Sequence, residues 1–300
     1  MNENILNGFK KYLLGSKNFS NNTVESYDRD IKKILTYLEE NGYDLENYKW
    51  LNESFVIEYI DYLKDNKYSS ATLSRTISTI HGFIDYLYEE KIISERININ
   101  IKIDKKEKDE LVIFTRGEIS RILDIEPCTL NDYRDKAIFE LSYSIGIKPT
   151  ECINLKIKDV NLEIGYLKYK TKDGVRTVPL NEEAIVSIKS YIEELKKHKF
   201  DTDDKCKLFL NHDGEGISRQ GFWKIFKKRQ QELGLTKELN TMNFRNSLAI
   251  HLLEDKVPAE EVQEILGLKN IHSLKLHFRK LQRKKSVKRM LSNHPRKSIR

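Results

Sequence analysis

A mainly α-helical protein with one small β-hairpin, divided into two domains, is the fold class this sequence predicts. Three observations carry the prediction. Apolar residues recur at helical spacing through most of the 300 residues. One stretch, 165–180, instead alternates as paired strands do, about an Asp173-Gly174 turn. Between them, 95–111 loses its apolar period while its charge density rises, which marks a linker. The division that follows is a helical domain over 1–94, the linker 95–111, an α+β domain over 112–278, and a basic C-terminal helix and tail over 279–300.

Taken in order, 4–16 is a helix carrying Ile5, Phe9, Tyr12 and Leu13 on one side. Ser20 caps a second, running to about Glu40, with Val24, Tyr27, Ile31, Ile34, Leu35 and Leu38 inward and Asn41-Gly42 as its stop. Residues 52–66 form a third around Phe55, Val56, Tyr59, Ile60 and Leu63. The fourth, 68–88, buries Leu73, Ile77, Ile80, Ile84 and Leu87. Together they make a four-helix bundle, an architecture that implies no activity by itself.

Beyond the linker, Thr115-Arg-Gly-Glu118 is a capping box opening a helix to about Leu123. A mostly buried helix covers 131–147, the hairpin 165–180, and a further helix 181–198. Leu208-Phe-Leu210 reads as a short strand. A helix capped by Ser218 presents Arg219, Gln220, Lys224, Lys227 and Lys228, with Phe222, Trp223, Ile225 and Phe226 assigned to the core. Helices at 241–254 (core Phe244, Leu248, Leu252, Leu253), 258–266 (Val262, Ile265, Leu266) and 271–291 complete the chain.

Composition narrows the function. A charge of +7 and a pI near 9.0 favour a polyanionic partner. No apolar run reaches the length of a membrane span, and the N-terminus has no signal-peptide core, so a cytoplasmic protein without membrane contact is expected. Cys128, Cys152 and Cys206 are isolated and odd in number, which argues against a disulfide framework or a zinc site; no metal and no cofactor is expected. From Arg279 to Arg300 stand ten Lys or Arg and no acid, a run suited to counterion release along DNA.

The stretch Thr241-Met-Asn-Phe-Arg-Asn-Ser-Leu-Ala-Ile-His-Leu-Leu-Glu254, followed by Leu266-Gly-Leu268 and His277, resembles the second signature box of the tyrosine recombinase (phage integrase) family. There the box is His-x-x-Arg-His, then an Ala-Thr-His-Leu-Leu-like helix, Leu-Gly-His, and the nucleophilic Tyr nine residues later. Arg245 matches. Met242, Asn246 and Leu268 stand in the histidine slots, and His277 in the tyrosine slot. Gly146-Ile-Lys-Pro-Thr-Glu-Cys-Ile-Asn-Leu155 resembles the first box, Gly-x-Arg-x-x-Glu-x-x-x-Leu, with Lys148 for the Arg. Lysine keeps the charge and loses the planar fork that grips a phosphate bidentately. Lys172 and Arg176, in Lys-Asp-Gly-Val-Arg-x-x-Pro, resemble the family hairpin whose turn lysine protonates the leaving 5′-oxygen. Ser-x-x-Thr-x-x-x-Tyr on the second helix and Ser-x-x-Thr-x-x-Arg-x-x-Ser on the fourth resemble the core-binding domain that clamps DNA.

The resemblance implies a four-helix, SAM-like core-binding domain joined to an α+β recombinase catalytic-type domain, a duplex DNA partner, and self-association or pairing with another recombinase through the terminal helix, where Val287, Met290 and Leu291 are apolar. Expected DNA contacts are Thr23, Ser26, Arg29, Ser70, Thr72, Arg75 and Ser78 in the first domain, and Lys148, Lys172, Arg176, Arg219, Gln220, Lys224 and Arg245 in the second. Lys148, Lys172, Met242, Arg245, Asn246, Leu268 and His277 would form a vestigial pocket. No Tyr follows Tyr191, so no shift of register supplies the nucleophile. The expectation is a DNA-binding pseudo-enzyme of a bacterial nucleoid or plasmid. Two alternatives stay open: a strand-transferase using His277, Ser273 or a partner's nucleophile, and a helical interaction protein with no nucleic-acid role. His251 falls on a structural position of the family pattern and is not assigned to chemistry.

Overall fold

The computed structural model describes residues 3–45, 48–101, 111–171, 174–268 and 270–292. The chain forms two compact units, Met1–Asp109 and Glu110–Arg300.

The first unit is a helical bundle of α1 (Glu3–Gly15), α2 (Asn21–Glu40), α3 (Glu53–Asp65) and α4 (Ser70–Glu89). Its boundaries follow from local chemistry. Ser20, Asn52 and Ser69 are N-caps whose side-chain oxygens accept from Thr23, Phe55 and Thr72 N–H. The apolar stripes meet in one core, with Phe9, Leu13, Ile34, Leu38, Val56, Tyr59, Phe83 and Leu87 almost wholly buried. Asp30–Arg75, Tyr27–Gly82 and Lys33–Tyr68 contacts run in opposite chain directions, so α2 and α4 are antiparallel. Ile97, Ile99 and Ile101, inside the stretch read as linker, pack on this core, with the Ile99 carbonyl beside His81 Nε2 at 3.1 Å.

In the second unit α5 (Arg116–Leu123) starts at the expected capping box, Thr115 with Glu118. Next come α6 (Leu130–Ile145), the short α7 (Pro149–Cys152), a 3-10 turn (Ile157–Asp159), and an antiparallel sheet of β1 (Val160–Asn161), β2 (Tyr166–Thr171) and β3 (Gly174–Pro179). Leu167 pairs with Val178 and Tyr169 with Arg176. Leu167, Tyr169 and Val178 face the core, whereas Lys168 and Lys170 face outward. Asp173, half of the predicted turn, and Lys172 lie outside the described residues. Then follow α8 (Glu182–Lys197), α9 (Arg219–Glu232), α10 (Thr241–Glu254), α11 (Ala259–Leu266) and α12 (His272–Ser292). Helix α6 is the hub, with Ile138, Phe139, Leu141 and Ile145 in a core shared with Ile188, Tyr191, Phe209, Phe226 and Phe244. A second cluster joins Leu248, Ala249 and Ile250 of α10 to Val262, Leu266, Ile271 and Leu274.

Three expectations change. Leu208–Leu210 is no strand; the segment is held by isolated bridges, Lys156 to Lys207 and Leu210 to Gly216, because its partners are loops rather than a sheet edge. Leu252 is half-buried at the margin of the second cluster, and Ile265 is half-buried. Trp223, assigned to the core by its neighbours, is 56% exposed: Phe222, Ile225 and Phe226 fill the inner stripe of α9, and Trp223 falls outside it, beside Arg219 and Gln220.

Candidate functional site

The two box-like segments meet at Gly146. This residue ends α6 in the left-handed region, φ +59°, and turns the chain into Ile147 and Lys148. Lys148 precedes Pro149, the first residue of α7, and its N–H donates to Glu151 Oε2 at 3.0 Å. Its Nζ lies 3.4 Å from Glu151 Oε1, so the ammonium in the first-box arginine slot has a carboxylate from its own motif beside it.

Arg245 occupies the second turn of α10, whose N-cap is Asn240. It is only 5% exposed, and its guanidinium donates to the carbonyls of Gly146 and Leu266. Burial draws its pKa below the ordinary value, while Glu151 and Tyr169 push it back. Arg176 performs a parallel task from β3. Its Nη2 donates to Glu264 O at 2.7 Å and Ile265 O at 2.8 Å, and its Nη1 to Tyr169 Oη at 3.3 Å. Two guanidiniums thus satisfy last-turn carbonyls of α11, where a helix end favours cations. Gly267 closes that helix at φ +58°, and a Cβ there would lie 2.6 Å from Arg176 Nη1.

A cavity of about 670 Å³ opens beside this junction, between Lys148, Glu151, Thr171 and Arg176 on one side and Glu260, Gln263, Glu264, Gly267 and Leu268 on the other. It brings together Lys148, Arg176 and Leu268 of the expected site residues. Met242, Arg245, Asn246 and His277 are not among its described lining. Met242 is 63% exposed on the first turn of α10, Asn246 is buried, and His277 is half-buried on α12 with a partner in the protein. Three carboxylates line the cavity, and both of its described cations already have partners. His251 is structural, as expected: Tyr143 Oη lies 2.6 Å from its Nδ1, and burial, then Arg116, lowers its pKa. The Cys152 thiol is fully buried and pushed far above its usual range, so it offers no nucleophile.

A second cleft, about 470 Å³, shares Glu151 and is lined by Lys156, Lys158, Lys168 and Lys170. None of these was singled out from the sequence. The signal was the alternation in Tyr166-Leu-Lys-Tyr-Lys170, which sends both β2 lysines to one outer face.

On α9, Arg219, Gln220, Lys224 and Lys228 are exposed, Lys227 is half-buried, and Lys228 pairs with Glu232 at 3.6 Å. In the first unit the hydroxyls have local duties. Thr23 and Thr72 join Ser20 and Ser69 at the helix caps (2.9 and 3.0 Å), and Ser26 Oγ donates to Asn22 O and accepts from Arg29. Arg75 grips the buried Asp30 with two bonds, 2.7 and 2.9 Å, so its guanidinium is spent within the bundle. Thr23, Ser26 and Arg29 occupy the N-terminal half of α2, and Thr72 and Arg75 that of α4. Because Arg75 bonds Asp30, the residue after Arg29, the antiparallel packing sets the N-terminal half of α4 alongside the middle of α2, and Arg29 and Arg75 share one level of the helix pair.

Among the described residues, no group of three or more His, Cys, Asp or Glu is placed to hold a metal ion, and no helix is long and apolar enough to cross a membrane.

Comparison with known proteins gives three findings. The pattern of the phage integrase family matches residues 113–284, and that of the phage integrase N-terminal SAM-like domain matches 6–91. Tyrosine recombinase XerD of Staphylococcus epidermidis is 33% identical over 295 residues, covering 97% of this chain and 99% of the relative. The fold is similar to that of XerH site-specific recombinase bound to a palindromic difH substrate (TM-score 0.73, 20% identity, 90% of this chain and 80% of that one). It is likewise similar to a lambda integrase dimer bound to a core site (TM-score 0.66, 19% identity, 89% and 95%).

Proposed function

This chain belongs to the phage integrase family of tyrosine recombinases, and from that premise we propose that it binds duplex DNA in a recombination setting without cutting it by a nucleophile of its own. The observation that carries the proposal is the lack of any tyrosine after Tyr191, with His277 in the nucleophile's slot. The geometry around it supports the same reading. Family chemistry needs preorganised cations on the reacting phosphate and a proton donor for the leaving oxygen. Here Lys148 is paired with Glu151, Arg245 is turned onto backbone carbonyls, and Leu268 replaces a histidine with a side chain that can neither donate nor accept.

DNA binding rests on the relatives' shared activity and on charge. The protein carries +7, and its cationic groups include the lysine-lined cleft and the outer face of α9. Lys172 belongs to the proposed contacts through the motif resemblance alone, and Arg29 as an exposed cation of α2. Pairing with a second copy, or with another recombinase, through the C-terminal helix is part of the same reading, as is work on bacterial chromosomal or plasmid DNA.

The test is capture of sheared genomic DNA by the purified protein, followed by sequencing and by boiling in SDS. Enriched fragments sharing inverted arms, all released by SDS, are expected. Adducts that resist SDS and vanish in His277→Ala overturn the non-cleaving part and make His277 a nucleophile forming an acid-labile phosphoramidate. No salt-sensitive binding to duplex DNA overturns the whole reading.

A further inference from the structure

Helix α9 carries a large apolar ring on a face otherwise built from cations and an amide. At 100° per residue, Trp223 lies between Arg219 and Gln220 on one turn and Lys227 on the next, opposite the buried Ile225. Trp223 is 56% exposed, whereas Phe222 and Phe226 of the same helix are 2% exposed. The indole is therefore not required to fill the core. A single exposed apolar side chain is ordinary on a protein surface; what marks this one is that a large, rigid ring suited to contacts stands among cations that lack acidic partners within the described residues. A partner for the ring must also accept positive charge. Helix α9 has five Lys or Arg against one acid, Glu232, and no acid in its first turn, where a helix terminus would favour one. Arg229 is spent on the carbonyls of Arg121, Ile122 and Asp124, and Lys228 faces Glu232. Arg219, Lys224 and Lys227 have no carboxylate at salt-bridge distance among the described residues.

An anionic surface bearing apolar groups at helix-width spacing is the major groove of duplex DNA. It admits an α-helix, its walls are phosphates, and its floor carries one kind of projecting apolar group, the thymine 5-methyl. We infer that Trp223 is a specificity residue that reads thymine methyl groups in the major groove, flanked by Arg219 and Gln220 on neighbouring base edges and Lys224 and Lys227 on phosphates. This rests on the DNA-binding reading above and adds a residue and a base preference to it. Duplex bases are already stacked on each other, so the indole contacts the methyl edge rather than intercalating.

The chain has two tryptophans, and Trp50 is 4% exposed in the other compact unit, so a Trp50→Phe protein reports Trp223 alone. Duplexes are first selected from a random library by the full-length protein, and binding is followed by the anisotropy of a label on the DNA, which does not depend on tryptophan. Each thymine of the selected site is then replaced by deoxyuridine. The expected result is quenching of Trp223 emission on binding and a loss of about 3–4-fold in affinity at one or two thymines, the worth of one buried methyl. Trp223→Ala should bind more weakly and no longer distinguish thymine from deoxyuridine at those positions, and Trp223→Phe should keep part of the discrimination. Binding with unchanged Trp223 emission, or an equal deoxyuridine penalty in Trp223→Ala, overturns the inference while leaving DNA binding intact. Normal DNA affinity with loss of self-association in Trp223→Ala also overturns it and assigns the ring to a protein contact. No DNA binding by any protein form removes both readings together.

Discussion

Gly146 is the point where the first-box segment, α10 and the end of α11 come together, and replacing it with alanine tests how that junction is held. Two costs add. The left-handed φ of +59° penalises any side chain, by about 1–2 kcal/mol. A Cβ would also lie 2.6 Å from Leu266 Cδ2 and 3.1 Å from Arg245 Cγ. Neither neighbour moves easily: Leu266 is fully buried against Val262, and Arg245 is tied to the carbonyls of Gly146 and Leu266. Overpacking of this kind costs about 1–3 kcal/mol. Gly146→Ala should therefore destabilise the second unit by about 2–4 kcal/mol, a fall of roughly 5–15 °C in its melting transition. Calorimetry and urea denaturation followed by circular dichroism measure this. Leu266→Ala is itself destabilising, by about 2–5 kcal/mol, but it empties the space the new Cβ needs. The double variant should be more stable than the sum of the single changes implies, by about 1 kcal/mol or more. A Gly146→Ala protein within about 0.5 kcal/mol of the parent, or strict additivity with Leu266→Ala, would refute the reasoning.

The remaining predictions concern charges inside the fold. Arg75→Ala leaves the carboxylate of buried Asp30 without its bidentate partner and should cost about 2–3 kcal/mol in chemical denaturation, tempered by Arg75's partial exposure. Replacing both residues by apolar ones of similar volume should recover most of that loss; a DNA defect in Arg75→Ala with no loss of stability would show a role in binding instead. Glu140, buried on α6, has its pKa lifted to about 7 by desolvation, with Lys136 opposing and Glu183 adding to the rise. The folded state therefore holds a proton that the unfolded state releases at lower pH, and stability should fall as pH rises from about 4.5 through 7. Glu140→Gln should accordingly be more stable than the parent at pH 8, by about 2–3 kcal/mol, and no more stable at pH 4; an equal effect at both pH values would remove the titration from the explanation.

The sequence by itself determined the elements and the family. Ser20, Ser69, Thr115 and Ser218 mark helix starts because a cap is a bond within a few residues, and the stripes around Phe55 or Ile138 mark buried faces because helical period is local. The substituted positions, Lys148, Met242, Asn246, Leu268 and His277, were legible for the same reason: they are defined by spacing within short motifs. What the tertiary structure decided is where charge is spent. Arg245 and Arg176 cap a helix distant from both in sequence, and Arg75 is consumed by Asp30 on another helix. The lysine cleft exists because a 3-10 turn and a strand lie side by side, and Trp223 is outside because neighbouring Phe222, Ile225 and Phe226 already fill the inner face. A residue's type and period are local properties of the chain; the partner of its charge or its ring is supplied by whichever distant segment packs against it, and packing alone settles that.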